Sequence, residues 1–321
     1  MKALTSRAVK IASTVIAFVV FAISFVFSFL GNVPVGVEKG NATLNAATDI
    51  FINTIPDLAT RYPTAIQPAP WVFVVIWPII FLWNTVGIFY LLASLCLPKD
   101  RSPILREPSM FPVESLIFWC LSWGCSMGWI FAFDRELLGL SMFLILVAAW
   151  STYATLGLSY RSYYSDILIL EEHSHKMLLL VRIIIHNGFA ILAAWLTCAW
   201  KITLAVTITY KDSSPSDEIP AALNGSITSE DAGTIGLSIL LFELVLWFVL
   251  ENFVFEPYCR YTLSIYPTLI FALSGVFSQN YVSPFSRNLA ITLAALILAI
   301  FAFIARIVLV IHRHRHRTRY A

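Results

Sequence analysis

The chain has 321 residues, 59% of them hydrophobic and only 12% charged, with a formal net charge of +2 at neutral pH. Soluble domains carry about twice that share of charge, so a single water-soluble core is excluded, and no nucleic-acid partner is expected. Apolar stretches of about twenty residues recur along the whole length, the pattern of an integral membrane protein with the lipid bilayer as its main partner.

Eight segments are long and apolar enough to cross about 30 Å of hydrocarbon: roughly 11–30, 71–97, 113–133, 138–158, 177–209, 233–254, 262–280 and 288–311. The expected fold is all-α, a polytopic membrane helix bundle of about eight transmembrane helices. Lys2, Arg7 and Lys10 precede the first run, which ends at Leu30 and is long for a cleaved signal. It therefore reads as a retained span.

The second segment opens "QPAPWVFVVIWPIIFLWNTVGIF", residues 67–89. Pro68 and Pro70 suit a helix start, and Trp71 suits the membrane interface. Trp77 and Trp83 lie deeper, where lipid offers their indole N–H groups no partner. Helical spacing puts Phe73, Trp77, Ile80, Phe81 and Asn84 on one face. That face fits the wall of a pocket for a flat apolar ligand, and it fits plain helix packing equally well. Pro78 frees a backbone carbonyl that must be satisfied inside the protein.

The third segment ends at Asp134-Arg135-Glu136, a short turn explained by helix capping and surface ion pairs. Glu171, Glu172, His173 and His175 read as a solvated loop. The fifth segment is too long, about 50 Å as a helix. It either tilts or hides a reversal near His186-Asn187-Gly188, and Arg182 in its first turns can snorkel. Residues 210–232 carry Asp212, Asp217, Glu218, Glu230 and Asp231, a solvated acidic loop or a cation-attracting vestibule.

In the sixth segment Glu243 is too deep to snorkel and must be neutral, paired or in a wet cavity. Lys201 and His186 are its expected partners, with depth favouring His186. A structural pair and a proton relay both remain open. Glu251 is expected to reach the membrane surface with Asn252. The tail "HRHRHRTRY" reads as a stop-transfer anchor that meets anionic lipid. Five cysteines (Cys96, Cys120, Cys125, Cys198, Cys259) show no metal spacing, and no catalytic motif, metal site or cofactor is expected.

Positive charge orients the chain. With the N-terminus in the cytoplasm, thirteen of the 21 basic residues fall inside and five outside, leaving Arg182, Lys201 and Arg306 within spans. The sequons at Asn41 and Asn224 then fall outside, where glycosylation occurs. They favour one long tilted fifth helix, cytoplasmic N- and C-termini, and a plasma or secretory-pathway membrane.

"PWVFVVIWPIIF" resembles the second-helix signature of the translocator protein (TspO/MBR) superfamily, with Trp77 at its Trp and Ile80-Phe81 where Leu-Tyr is usual. "GWIFAFDRELLG" (128–139) is similar to the end of that family's third helix. "AWLTCAWKITL" (194–204) is similar to its fifth, where Trp195 and Ala199 fit and Thr203 replaces Asn. "ENFVFEPYCRYTLSIYPTLIFALSGVFSQN" (251–280) resembles the larger tryptophan-rich members that carry extra C-terminal helices. The resemblance implies a five-helix region over 1–210, an external loop at 211–232, three additional spans over 233–312 and a basic cytoplasmic tail at 313–321. It also implies an intramembrane pocket for a porphyrin- or sterol-like molecule, lined by Phe73, Trp77, Phe81, Asn84, Trp129, Phe133, Trp195 and Ala199. The alternative is a proton-coupled transporter of a polar solute centred on Glu243 and His186.

Overall fold

The computed structural model describes residues 6–32, 50–165, 167–211, 227–282 and 284–320. Asn41, Asn224, Asp212, Asp217 and Glu218 lie outside the described residues. The helices are α1 (Arg7–Leu30), short α2 (Ile55–Arg61), α3 (Pro70–Ser94), α4 (Val113–Asp134), α5 (Leu138–Tyr164), short α6 (Ile167–His173), α7 (His175–Thr209), α8 (Ser229–Val254), short α9 (Glu256–Cys259), α10 (Ile265–Gln279) and α11 (Arg287–Tyr320). Glu171, Glu172 and His173, expected in a loop, instead belong to α6, and His175 opens α7.

Seven of these helices are long and apolar enough to cross a membrane. The counterpart of segment 262–280 is α10, with 15 residues, or about 22 Å at 1.5 Å per residue. It is short because residues 262–264 stay non-helical, held by the Asn187 side chain, whose Oδ1 accepts from Leu263 N (2.9 Å) and Ser264 N (3.2 Å).

Local chemistry sets the helix starts. Pro70 occupies the first turn of α3, where its missing N–H costs nothing. Thr228 and Asp231 form a reciprocal capping box that begins α8, and Thr54 with Asp57 does the same for α2.

Helix α7 is the axis of the bundle. Every residue from Gly188 to Cys198 is buried, as expected of a helix that is apolar all round. Small Ala190, Ala193 and Ala194 let its neighbours approach closely. The α4–α5 hairpin packs on it, chiefly through α5, as do α8 and α10, with α11 against α8 and α10 and α1 against α3 and α4. Where α10 meets the start of α3, Ala69 N donates to Gly275 O at 3.1 Å. A Cβ at Gly275 would lie 2.1 Å from Val72 Cγ2, so only glycine allows that contact.

Both ends are tied. At the end bearing the N-terminus, Lys10 Nζ donates to Glu107 Oε1 (2.5 Å) and to the Arg106 carbonyl (3.1 Å). At the opposite end Asp134 does more than cap a helix: its buried carboxylate accepts from Ile52 N (2.9 Å) and Asn53 N (2.8 Å), which docks the segment before α2. Glu136 accepts from the Tyr62 hydroxyl and lies 3.3 Å from Arg61 Nε. Burial, reinforced by the Glu136 carboxylate, pushes the Tyr62 phenol up to about 12.

Candidate ligand site

Four of the eight expected lining residues converge where α3 meets α7. Trp195 is fully buried and meets Phe73 edge-on (centroids 5.6 Å apart) and Trp77 edge-on (6.1 Å). Trp77 in turn stacks on Phe81 at 5.6 Å. The sequence reading missed two further members: Trp123, stacked on Phe81 at 5.6 Å, and Phe21, edge-on to Trp123 at 4.8 Å. Their signal was the apolar faces of the first and third spans, which carry no motif of their own. The indole N–H groups of Trp195 and Trp123 are buried without a hydrogen-bond partner among the described residues.

The other four expected residues go elsewhere. Asn84 is buried one turn from Ile80, donates to the Ile80 carbonyl at 2.8 Å, and leaves its Oδ1 unpaired among the described residues. Trp129 and Phe133 stack on each other at 5.9 Å beside a separate cluster with Leu58, Tyr62 and Tyr210. Ala199 packs on the central core, and its carbonyl accepts from Thr203 Oγ1 at 3.0 Å.

His186-Asn187-Gly188 is not a reversal. It closes a π-helical turn, Val181–His186, inside the continuous α7. The turn presents the Ile183 carbonyl to Trp83, whose Nε1 donates to it at 3.0 Å. This is the partner that lipid cannot supply. Gly188 makes room for the ring, since a Cβ there would lie 2.5 Å from Trp83 Cδ1. Asn187 brackets the entry to α10, donating to the Arg182 and Tyr261 carbonyls at 2.8 and 2.9 Å. Arg182 does not simply snorkel: its guanidinium lies 4.1 Å over the Tyr261 ring and 3.5 Å from Glu171.

His186 does not reach Glu243. Its Nε2 lies 2.9 Å from Ser159 Oγ, and Ser159 donates to the Met110 carbonyl at 2.9 Å, so the imidazole is the donor in that contact. Glu243 pairs with Lys201 instead. The flexible four-carbon stem of lysine explains the reversal of the depth argument, because it lets the ammonium lie well away from its own Cα. His186 and Lys201 are about 22 Å apart along α7, and so are not neighbours in one proton path.

A narrow cleft borders Trp195, with a cavity volume of about 20 Å³. Trp195, Cys198 and Lys201 of α7 wall it, with Gly236 and Leu240 of α8, Leu273 and Val276 of α10, and Ile66 and Pro68 of the connecting segment. The Lys201 ammonium is buried, lies 4.3 Å from the centre of the Trp200 ring and donates to Glu243.

A second ion pair was misread from the sequence. Glu251 does not reach the surface; it and Arg306 are each 0% exposed, with Nε 3.3 Å from Oε1. Arg306 also donates to Asn252 Oδ1 (3.0 Å) and to the carbonyls of Glu251 (3.3 Å) and Cys259 (2.9 Å). The Tyr266 hydroxyl donates to Glu251 Oε2 at 2.7 Å. The signal was available: both charges stand within two turns of the same end of their spans, hence at similar depth.

A protein-family model described as TSPO-like protein matches residues 14–308, a stretch that runs from α1 into α11 and includes the helices beyond residue 210. No curated protein and no solved structure matches the chain.

Proposed function

The chain belongs to the TSPO-like protein family, and from that premise we propose that it binds a flat hydrophobic molecule within the membrane, tetrapyrrole- or sterol-like, at Trp195. It is a multi-pass membrane protein. One observation carries the proposal. The Trp195 ring is fully buried, walls the cleft, meets Phe73 and Trp77 edge-on, and keeps its N–H unpaired among the described residues. Flat rings with a single free donor suit a planar ligand that carries an acceptor.

Binding, with carriage or sensing as its consequence, accounts for the site better than catalysis does. The buried polar groups are engaged with one another, as in His186–Ser159 and Arg306–Glu251, and the one charged residue that walls the cleft, Lys201, is paired with Glu243. The charge bias and the two sequons support cytoplasmic termini and a plasma or secretory-pathway membrane.

The test is quenching of tryptophan fluorescence by protoporphyrin in the purified full chain. Saturable quenching is expected, and Trp77→Ala should weaken it by about tenfold, the loss of one aromatic contact of about 1.5 kcal/mol. Unchanged affinity in that variant removes Trp77 from the site.

A further inference from the structure

The Lys201–Glu243 pair is closed on one side and open on the other. The Lys201 side chain is 2% exposed, whereas that of Glu243 is 35% exposed. Glu243 lies roughly 16 Å of helix from Val254 and roughly 21 Å from Ser229, so its carboxylate opens deep in the hydrocarbon. The α8 surface beside it, Phe242 and Leu246, is exposed and apolar. Lys201 is its only hydrogen-bond partner among the described residues. A carboxylate accepts at about four sites, and acceptors left unmet in hydrocarbon are costly.

The surroundings form a notch. Trp247 stands one turn on from Glu243 along α8, and its Nε1 is buried without a partner among the described residues. The Tyr153 ring of α5 lies 6.3 Å from that indole, with its hydroxyl engaged by Thr197 at 2.6 Å. Beside the Tyr153 and Trp247 rings the notch therefore offers the bilayer a carboxylate acceptor, while the Trp247 N–H is buried. Charge selects the guest. Lys201 already neutralises Glu243, so a cationic head group would leave a net positive charge in oil, and an anionic one would meet the carboxylate. A neutral hydroxyl both donates and accepts, and adds no charge.

We propose that this notch between α5, α7 and α8 holds the head of a neutral membrane lipid bearing a free hydroxyl, which donates to Glu243. It is reached from the bilayer and is separate from the Trp195 cleft, although Lys201 borders both.

The full chain in phosphatidylcholine nanodiscs tests this, with a pyrene-labelled diacylglycerol as probe and energy transfer from tryptophan as readout. The free alcohol should bind saturably and at least about tenfold more tightly than its O-acetyl ester, the worth of one hydrogen bond to a charged group. The double variant Lys201→Met/Glu243→Leu, which leaves no unpaired charge, should abolish the difference. Unlabelled cholesterol as competitor separates the sources: displacement means the hydroxyl site also accepts sterols, and its absence restricts the site to acylglycerols. Equal binding of alcohol and ester to the native chain overturns the proposal, and that comparison needs no variant to fold. Persistence of the preference in the double variant overturns it too. Protoporphyrin quenching in the same discs, compared with that of Trp195→Leu, reports on the Trp195 site separately.

Discussion

Two acidic residues on one helix, eight positions apart, meet opposite fates. Glu251 is sealed: arginine, tyrosine and a second helix enclose it, and neither partner has any exposed surface. Glu243 has a lysine behind it and hydrocarbon in front. The difference comes from what packs over each. Near the end of α8 a π turn, Leu250–Val254, together with α9 and α11, folds around the carboxylate. Around Glu243 the helix lies at the edge of the bundle, and among the described residues only α7 reaches it with a charge. An ion pair enclosed on every side by its own fold acts as a bolt; one left open to hydrocarbon is a place where something from the membrane can complete the set.

The comparison breaks most visibly at the bolt. Arg306→Ala should leave Glu251 buried and unpaired and destabilise the protein by about 3–5 kcal/mol, read as a large fall in thermal unfolding temperature in detergent. A loss below about 1 kcal/mol would mean that the pair is not a structural device. Next in size, Glu243→Gln keeps shape but strands the Lys201 ammonium, at a cost of about 1–3 kcal/mol, measured by the same unfolding assay. The smallest effect belongs to the double change Lys201→Met/Glu243→Leu. Replacing a whole ion pair with apolar groups is often neutral or stabilising, so stability should shift by no more than about 1 kcal/mol while the preference for a lipid hydroxyl disappears. A strong destabilisation by the double variant, matching that of Arg306→Ala, would erase the distinction between the two pairs.

Much of the architecture was legible in the sequence, because burial in lipid leaves few choices. Long apolar runs had to be helices, and the prolines at 68 and 70 marked the start of α3. The shared face of Phe73, Trp77 and Phe81 followed from helical spacing, and the family resemblance implied that Trp195 joins it. What spacing could not supply was contact between spans. Trp129 and Phe133 stand four positions apart on α4, more than one turn beyond Trp123, and so join the Tyr62–Tyr210 cluster. Asn187 looked like a possible break because Asn-Gly so often marks a turn. In the folded chain its amide instead bridges a π turn to the start of α10, a long-range role invisible to local pattern. Glu251 was misread for a related reason: its distance from the span end suggested water, while the residue that encloses it, Arg306, lies 55 positions away.

The most direct test of the ligand site is a Soret titration of the purified chain with protoporphyrin, run on the native protein, on Trp195→Leu, and on Arg306→Met/Glu251→Leu as a folded control. A saturable spectral shift is expected in the native protein and the control, weakened at least about tenfold in Trp195→Leu. Equal affinity in all three would show that Trp195 packs the core and holds no ligand.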